Sequence, residues 1–343
     1  MPTKVALTKT YFLRKDLYFR TKTLKEIERL KKTHKNAYEK SGKGTGEGIR
    51  DPYQNMTFLY IRATEDDDGT RPISGVVYLS PDLNVYPNTG GQEICWGIEA
   101  GQQYTVECIV RNDGDVDVPS GTVDIHLANP AVGWTVSGSK LIGITNVAIP
   151  AFTSKVTTFE WIADFEDAGH RCMFARVYSM SPMDAPEDWE AFNVREDRHI
   201  GQQNLSIVLV GEEINVDAGT DNKAKGANKG KFKIIVRPAK FIPGRIQLIS
   251  GLKKVNLKKG PVAAKFKLTP RKEEIRKPHR MSLRQATVPN SWSGKITGQA
   301  GAPLLLKVPT LELRENEGAV YEVVSLDLKT NKEIGGFILV VLK

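Results

Sequence analysis

The sequence is that of a mainly β protein: tandem antiparallel β-sandwiches follow a short basic N-terminal extension that contains one helix. Three observations lead there. From Thr57 onward, short alternating apolar runs recur with turn signals between them. The only helix-period stripe lies ahead of residue 40. And 343 residues, 40% apolar and 26% charged, are enough for two to three ordinary domains that need no disulfide or metal to hold a core.

Taken in order, residues 1–56 form the basic extension. VALTKTYFLRKDLYF, within residues 4–20, is rich in β-branched and aromatic types and reads as strand-like. A helix is expected over about 23–39: Thr23 with Glu26 has the capping-box spacing, and Leu24, Ile27, Leu30, His34 and Tyr38 form one stripe. SGKGTGEG (41–48) then ends it. Those glycines follow a helix and lack the Gly-Lys-Ser/Thr spacing, so they read as a linker and not as a phosphate loop.

Residues 57–211 are expected to form an acidic sandwich from TFLYIRAT, GVVYLS, YTVECIVRN, GTVDIHLAN, LIGITNVAI, KVTTFEWIA, HRCMFARVYS and NLSIVLV. In YTVECIV, Val106, Cys108 and Val110 share one face, as an inward-facing strand requires, and Trp161 reads as core. Residues 212–230 are polar and glycine-containing and read as a linker. Residues 231–343 resume strand patterning as a basic C-terminal sandwich, in KFKIIVRP, RIQLISG, VAAKFKLT, SGKITG, APLLLKVP, AVYEVVSLDL and GGFILVVLK.

Charge is segregated along the chain. Residues 1–50 carry 14 Lys+Arg against 5 Asp+Glu (+9), residues 51–210 carry 9 against 23 (−14), and residues 211–343 carry 26 against 12 (+14). Such a balance speaks of partners and not of fold. Few aromatics interleave the basic stretch and no nucleic-acid motif accompanies it, which disfavours nucleic acid. An acidic protein surface, on this chain or on a neighbouring subunit, is the expected partner, with Lys223, Lys225, Lys229 and Lys231 as candidate contacts. The first twenty residues carry charges throughout and fail as a secretion signal. FILVVL (337–342) is far shorter than the roughly 20 residues a membrane span needs. Cytoplasmic synthesis is expected, with any export by another route.

Catalytic motifs are missing. The five histidines show no HExxH or HxH spacing and there is no GxSxG elbow. His170 and Cys172 are two apart on an expected strand, which allows a nucleophile pair but equally a core thiol beside a turn histidine. Asp113, Asp115 and Asp117 alternate around Gly114, so the turn is either simply solvated or a weak Ca²⁺ site, the one cofactor the sequence admits. Trp189, in the Pro- and acid-rich SPMDAPEDWEAF, is either a ligand contact on a sandwich-end loop or packing over the sandwich end.

Several segments in order resemble bacterial Ig-like modules of the CARDB type. They are FLYIRATEDDDGTRP, YTVECIVRNDGDVDVPSGTVDIHLANP, the Trp134 strand, PAFTSKVTTFEWIADFEDAGHRCMFARV and RHIGQQNLSIV, together about 150 of 343 residues. The resemblance implies an Ig-like sandwich serving as a non-catalytic accessory, binding or spacer module of bacterial surface and secreted proteins. It also gives Cys108 and Cys172 positions that face each other in antibody-type domains, where they could be bridged. A reducing compartment would leave them free, along with Cys95. Such modules normally travel with a secretion signal, so a component or cargo of a contractile, phage-tail-like particle is the alternative, and an enzyme without a recognisable motif is a second one.

Overall fold

The structure is a computed structural model that describes residues 56–88, 97–128, 131–132, 136, 139–164, 169–218, 228–249, 252–270, 282–298, 302–329, 331 and 333–343. The strand-like segment at 4–20, the helix at 23–39, Cys95, Lys223 and Lys225 lie outside them.

The first half supplies β1 (Leu59–Tyr60), β2 (Leu83–Pro87), β3 (Gly97–Ile98), β4 (Gln103–Asn112), β5 (Val118–Ala128), β6 (Ala131–Val132), β7 (Lys140–Ile149), β8 (Thr153–Ile162), β9 (Gly169–His170), β10 (Cys172–Met180), β11 (Met183–Asp184) and β12 (Ile200–Gln203). The second half supplies β13 (Leu205–Leu209), β14 (Glu213–Ala218), β15 (Asn228–Pro238), β16 (Asn256–Lys259), β17 (Lys267–Pro270), β18 (Ser282–Gln285), β19 (Ser291–Gly298), β20 (Ala302–Lys307), β21 (Glu317–Asp327) and β22 (Glu333–Leu342).

In the first sandwich, β4 is the spine of one sheet. β8 runs antiparallel along one side of it, while β1 and β2 share the other. β10 is the spine of the facing sheet, with β5 and then β7 on one side and β11 and β12 on the other. The period-2 pattern of β4 turns Tyr104, Val106, Cys108 and Val110 into the space between the sheets. There they meet Val123, Ile125 and Leu127 of β5 and Phe159 and Trp161 of β8. The second sandwich packs a sheet ordered β13-β22-β21-β15-β19-β18, with β16 also on β21, against a sheet ordered β17-β20-β14-β6. Its core gathers Phe232 and Ile234, Phe266 and Leu268, Trp292, Leu304 and Leu306, and Phe337 and Leu339.

The two sandwiches are joined by a third apolar core. β10 is buried on both faces: Met173, Ala175 and Val177 enter the first core, whereas Cys172 and Phe174 turn the other way. β22 repeats this, sending Phe337, Leu339 and Val341 into the second core and Ile338 and Val340 outward. The outward rows meet, together with Val76, Val77, Tyr78 and Leu79, Phe192 and Val194, and Ile246, Ile249 and Leu252. Double-sided burial is why FILVVL reads as an unbroken apolar run and not as an alternation. Polar contacts lock the same seam. Asn204 Nδ2 donates to the Gly336 carbonyl (3.0 Å), and Arg195 clasps Glu333 (2.6 Å). At Gly336 a Cβ would fall 2.6 Å from the Tyr78 ring, so the close approach requires glycine.

Several expectations are corrected here. NLSIVLV does not finish the first sandwich: β13 pairs in parallel with β22 and belongs to the second. Residues 213–218, expected within a linker, form β14, because Ile214 and Val216 alternate into the second core and the strand pairs with β20. RIQLISG is not a strand; Gly244–Leu248 is a 3-10 turn. GVVYLS is a buried extended segment whose only ladder contact among the described residues is a bridge from Leu79 to Gln203. Parallel pairs β13·β22, β14·β6 and β16·β21 interrupt the otherwise antiparallel sheets.

Candidate functional site

The side chains with reactive chemistry are mostly spent on the fold. Asp82 sits at zero exposure between two guanidinium groups, accepting from Arg62 Nη2 (2.7 Å) and from Arg111 Nε and Nη2 (both 2.9 Å). Burial pushes its carboxyl up, but Arg111 and Arg62 outweigh that and hold it down at about 2. Arg245 is the converse case. It reaches from the 3-10 turn of the second half to the Leu83 carbonyl (3.0 Å) and the Asn84 side chain, and burial lowers it to about 10, only partly offset by Glu65 and Asp82.

His199 is held between two carboxylates, Nδ1 at 2.6 Å from Asp197 and Nε2 at 2.9 Å from Asp184. Asp184 also accepts from Arg198 Nη2 (2.5 Å) and from the Leu59 backbone N–H (2.6 Å), tying β1 to β11. Burial disfavours the charged ring, but the hydrogen bonds to Asp184 and Asp197 prevail and raise its pKa, since only the imidazolium can donate from both nitrogens. A group raised on folding contributes stability that is complete below its unfolded value of about 6.5 and is lost as pH climbs through the folded value. Asp184 and Asp197 are lowered, so their contribution is present above about pH 3.9 and lost on acidification. The urea midpoint is therefore expected to fall as the pH is raised from about 6.5 into the alkaline range, and His199→Asn to flatten that limb. An unchanged wild-type midpoint over this interval contradicts the assignment.

The cysteine expectations are resolved by strand faces. Cys108 lies in the core of the first sandwich and Cys172 in the core shared between the halves; both are free, buried thiols, so no Cys108–Cys172 bridge exists. Burial pushes both thiols well up, which removes thiolate reactivity. His170 and Cys172 do not share a strand: His170 ends β9, paired with β3, while Cys172 opens β10 in another sheet.

Each aspartate of the NDGDVD turn accepts within the fold. Asp113 takes the Tyr60 hydroxyl (2.9 Å), Asp115 the Met56 N–H (3.1 Å) and Asp117 the Ala151 N–H (2.7 Å). A Cβ at Gly114 would stand 2.2 Å from the Met56 carbonyl oxygen, so the turn closes on neighbouring backbone. Among the described residues, no three His, Cys, Asp or Glu are grouped to hold a metal.

Two surfaces remain. The first surrounds Trp189, which is 43% exposed and meets the Tyr178 ring edge-on at 4.8 Å. Arg176 fixes it from beneath, lying 5.3 Å from the indole and donating to the Trp189 carbonyl (2.9 Å) while a buried pair with Asp124 (2.7 Å) holds the guanidinium. Tyr178 and Met180 share a face of β10, and Met183 stands opposite Met180 across the β10–β11 hairpin. Met180 and Met183 are 61% and 69% exposed, so an apolar face with an aromatic centre is presented on a rigid sheet. The sequence pointed to Trp189; the two methionines are brought to it only by the hairpin register.

The second surface runs from the turn before β16 to the start of β17. Residues 252–267 hold six lysines and no acid. All six are exposed, because Ala264, Phe266 and Leu268 take the inward positions and leave Lys265 and Lys267 outside. Lys258 pairs with Glu317 (2.6 Å). Val262, at the tip, is 80% exposed. Of the lysines singled out from sequence, Lys231 is exposed on β15 and Lys229 lies on the same strand.

No family profile and no curated protein matches the sequence. Solved structures do. A CARDB domain from Pyrococcus furiosus, crystallised with di-metal ions, is 20% identical, with a TM-score of 0.23, over 37% of this chain and 92% of that one. A solution structure of the Pyrococcus domain gives 19% identity and a TM-score of 0.23 over 36% and 93%. A Paenibacillus cycloisomaltooligosaccharide glucanotransferase gives 11% and 0.22 over 39% of this chain and 16% of that one. The likeness is to a CARDB-type module over a segment of the chain, and no residue role is carried from it. No described helix is long and apolar enough to cross a membrane.

Proposed function

We propose that this protein is a non-catalytic binding or assembly protein that acts through a lysine-lined edge and an apolar sandwich-end surface on one rigid β body. The observation that carries the reading is the segment 252–267, from the turn before β16 to the start of β17, where six exposed lysines meet no acid within their own segment. Charge arranged in this way attracts an acidic protein surface over about a Debye length and weakens with salt. The Trp189, Tyr178, Met180 and Met183 face offers a partner apolar area that the lysine edge lacks. The groups that could do acid–base work support the same reading, since Asp82 and His199 are buried with their polar atoms already paired.

The protein is expected to bind a sulfonate matrix at about 50 mM salt and to leave it by about 0.5 M. Replacing Lys254, Lys259, Lys265 and Lys267 together by Glu is expected to move elution to markedly lower salt. Equal retention of the wild type at both salt concentrations, or of the variant and the wild type, contradicts the electrostatic reading.

A further inference from the structure

The lysine edge has a counterpart on the same molecule. Residues 51–210 carry −14 and residues 211–343 carry +14. In one rigid chain such charges would neutralise each other if the halves docked through them, but they do not. The seam between the halves is the apolar core of Phe174, Ile200, Ile338 and Val340. Among the described residues, the ion pair across it, Arg195 with Glu333, takes its cation from the acidic half and its anion from the basic half, and Arg245, which crosses the other way, bonds the neutral Leu83 carbonyl and Asn84 side chain. The acidic half still exposes Glu65, Asp66, Glu99, Asp117, Glu160 and Glu187, and the basic half exposes its lysine edge with Val262 at the tip.

Resting on the electrostatic reading above, we propose that the protein self-associates head to tail, with the edge formed by Lys254, Lys259, Lys265 and Lys267 of one copy docking on the acidic sandwich of the next. The two surfaces differ, so the contact is heterologous and leaves each assembly with one free surface of each sign. Growth is then concentration-dependent and reversed by salt.

Sedimentation velocity on the full chain tests this at about 20 mM and about 500 mM NaCl. The wild type is expected to form species larger than the monomer at low salt, with at least a tenfold weaker association at high salt. The quadruple Lys→Glu variant, checked for an unchanged urea midpoint, is expected to stay monomeric alone. It keeps its acidic half, so added in excess to wild type it should accept one wild-type copy and stop growth at a one-to-one complex. A wild type that is monomeric at low salt overturns the proposal, as does association indifferent to salt, a readout that needs no variant. A variant that assembles like the wild type, or fails to cap it, overturns it as well. Salt-sensitive retention on the sulfonate matrix by a strictly monomeric protein would sink self-association and leave the electrostatic reading standing; loss of that retention would sink both.

Discussion

Asp82→Ala is expected to lower the stability of the fold by about 3–5 kcal/mol, because it removes the buried anion that two buried guanidinium groups share. Arg62, which follows β1, and Arg111, on β4, converge on this carboxylate at 2.7 and 2.9 Å, and Arg62 also lies 3.6 Å from the exposed Glu65. Asp82 also accepts from the Arg62 backbone N–H (3.1 Å), so one side chain closes the turn before β2 onto β4. Asp82→Asn keeps the volume and one acceptor, and its loss should be smaller. The pH dependence has a definite sign: a carboxyl held at about 2 contributes stability that is present above its unfolded value of about 3.9 and is lost as pH falls toward the folded one. Urea unfolding followed by circular dichroism checks both. A loss for Asp82→Ala of under about 1 kcal/mol would mean that the arginines find other partners or water.

Ile338→Ala is expected to cost about 2–5 kcal/mol, the range for emptying a fully buried aliphatic site. Its place gives the loss a second property. Ile338 is at zero exposure in the core shared by the two halves, pairs with Glu322 on β21 and Leu205 on β13, and donates its N–H to Asn204 (3.2 Å). A cavity there weakens the seam, so both sandwiches should lose stability together. Were the halves joined by a linker, as residues 212–230 suggested, the damage would stay in the second.

Where the sequence was readable, one face of an element was buried and the other was not. β4 alternates from Gln103 to Val110 and β8 from Thr157 to Ile162, and Cys108 and Trp161 lie where that alternation puts them. RIQLISG misleads because its buried apolar residues, Ile246 and Ile249, with Leu252 just beyond it, recur every third position, the period of a 3-10 turn, inside a segment of β-type composition. β14 was hidden because only Ile214 and Val216 mark its inner face among polar neighbours. The shared core was written in FILVVL, but a run apolar on both faces fits a buried strand of any sheet. The ion pairs were beyond reach for another reason: Asp82 lies 20 and 29 residues from its arginines, and Asp124 lies 52 from Arg176. Composition cannot join residues so far apart. Trp189 is singled out by its acidic, proline-rich surroundings, whereas the apolar face around it depends on a two-residue hairpin register that no periodicity announces.

The common apolar core predicts that the two sandwiches unfold as one cooperative body. Each has its own tryptophan, Trp161 in the first core and Trp292 in the second. Fluorine NMR of the protein labelled with 5-fluorotryptophan, followed through a urea titration, reads both at once. The native Trp161 and Trp292 signals are expected to vanish at one midpoint in the wild type, and at one lower midpoint in Ile338→Ala. Two separate midpoints in the wild type, or a shift confined to Trp292 in the variant, would show that the halves are independent and would contradict that expectation.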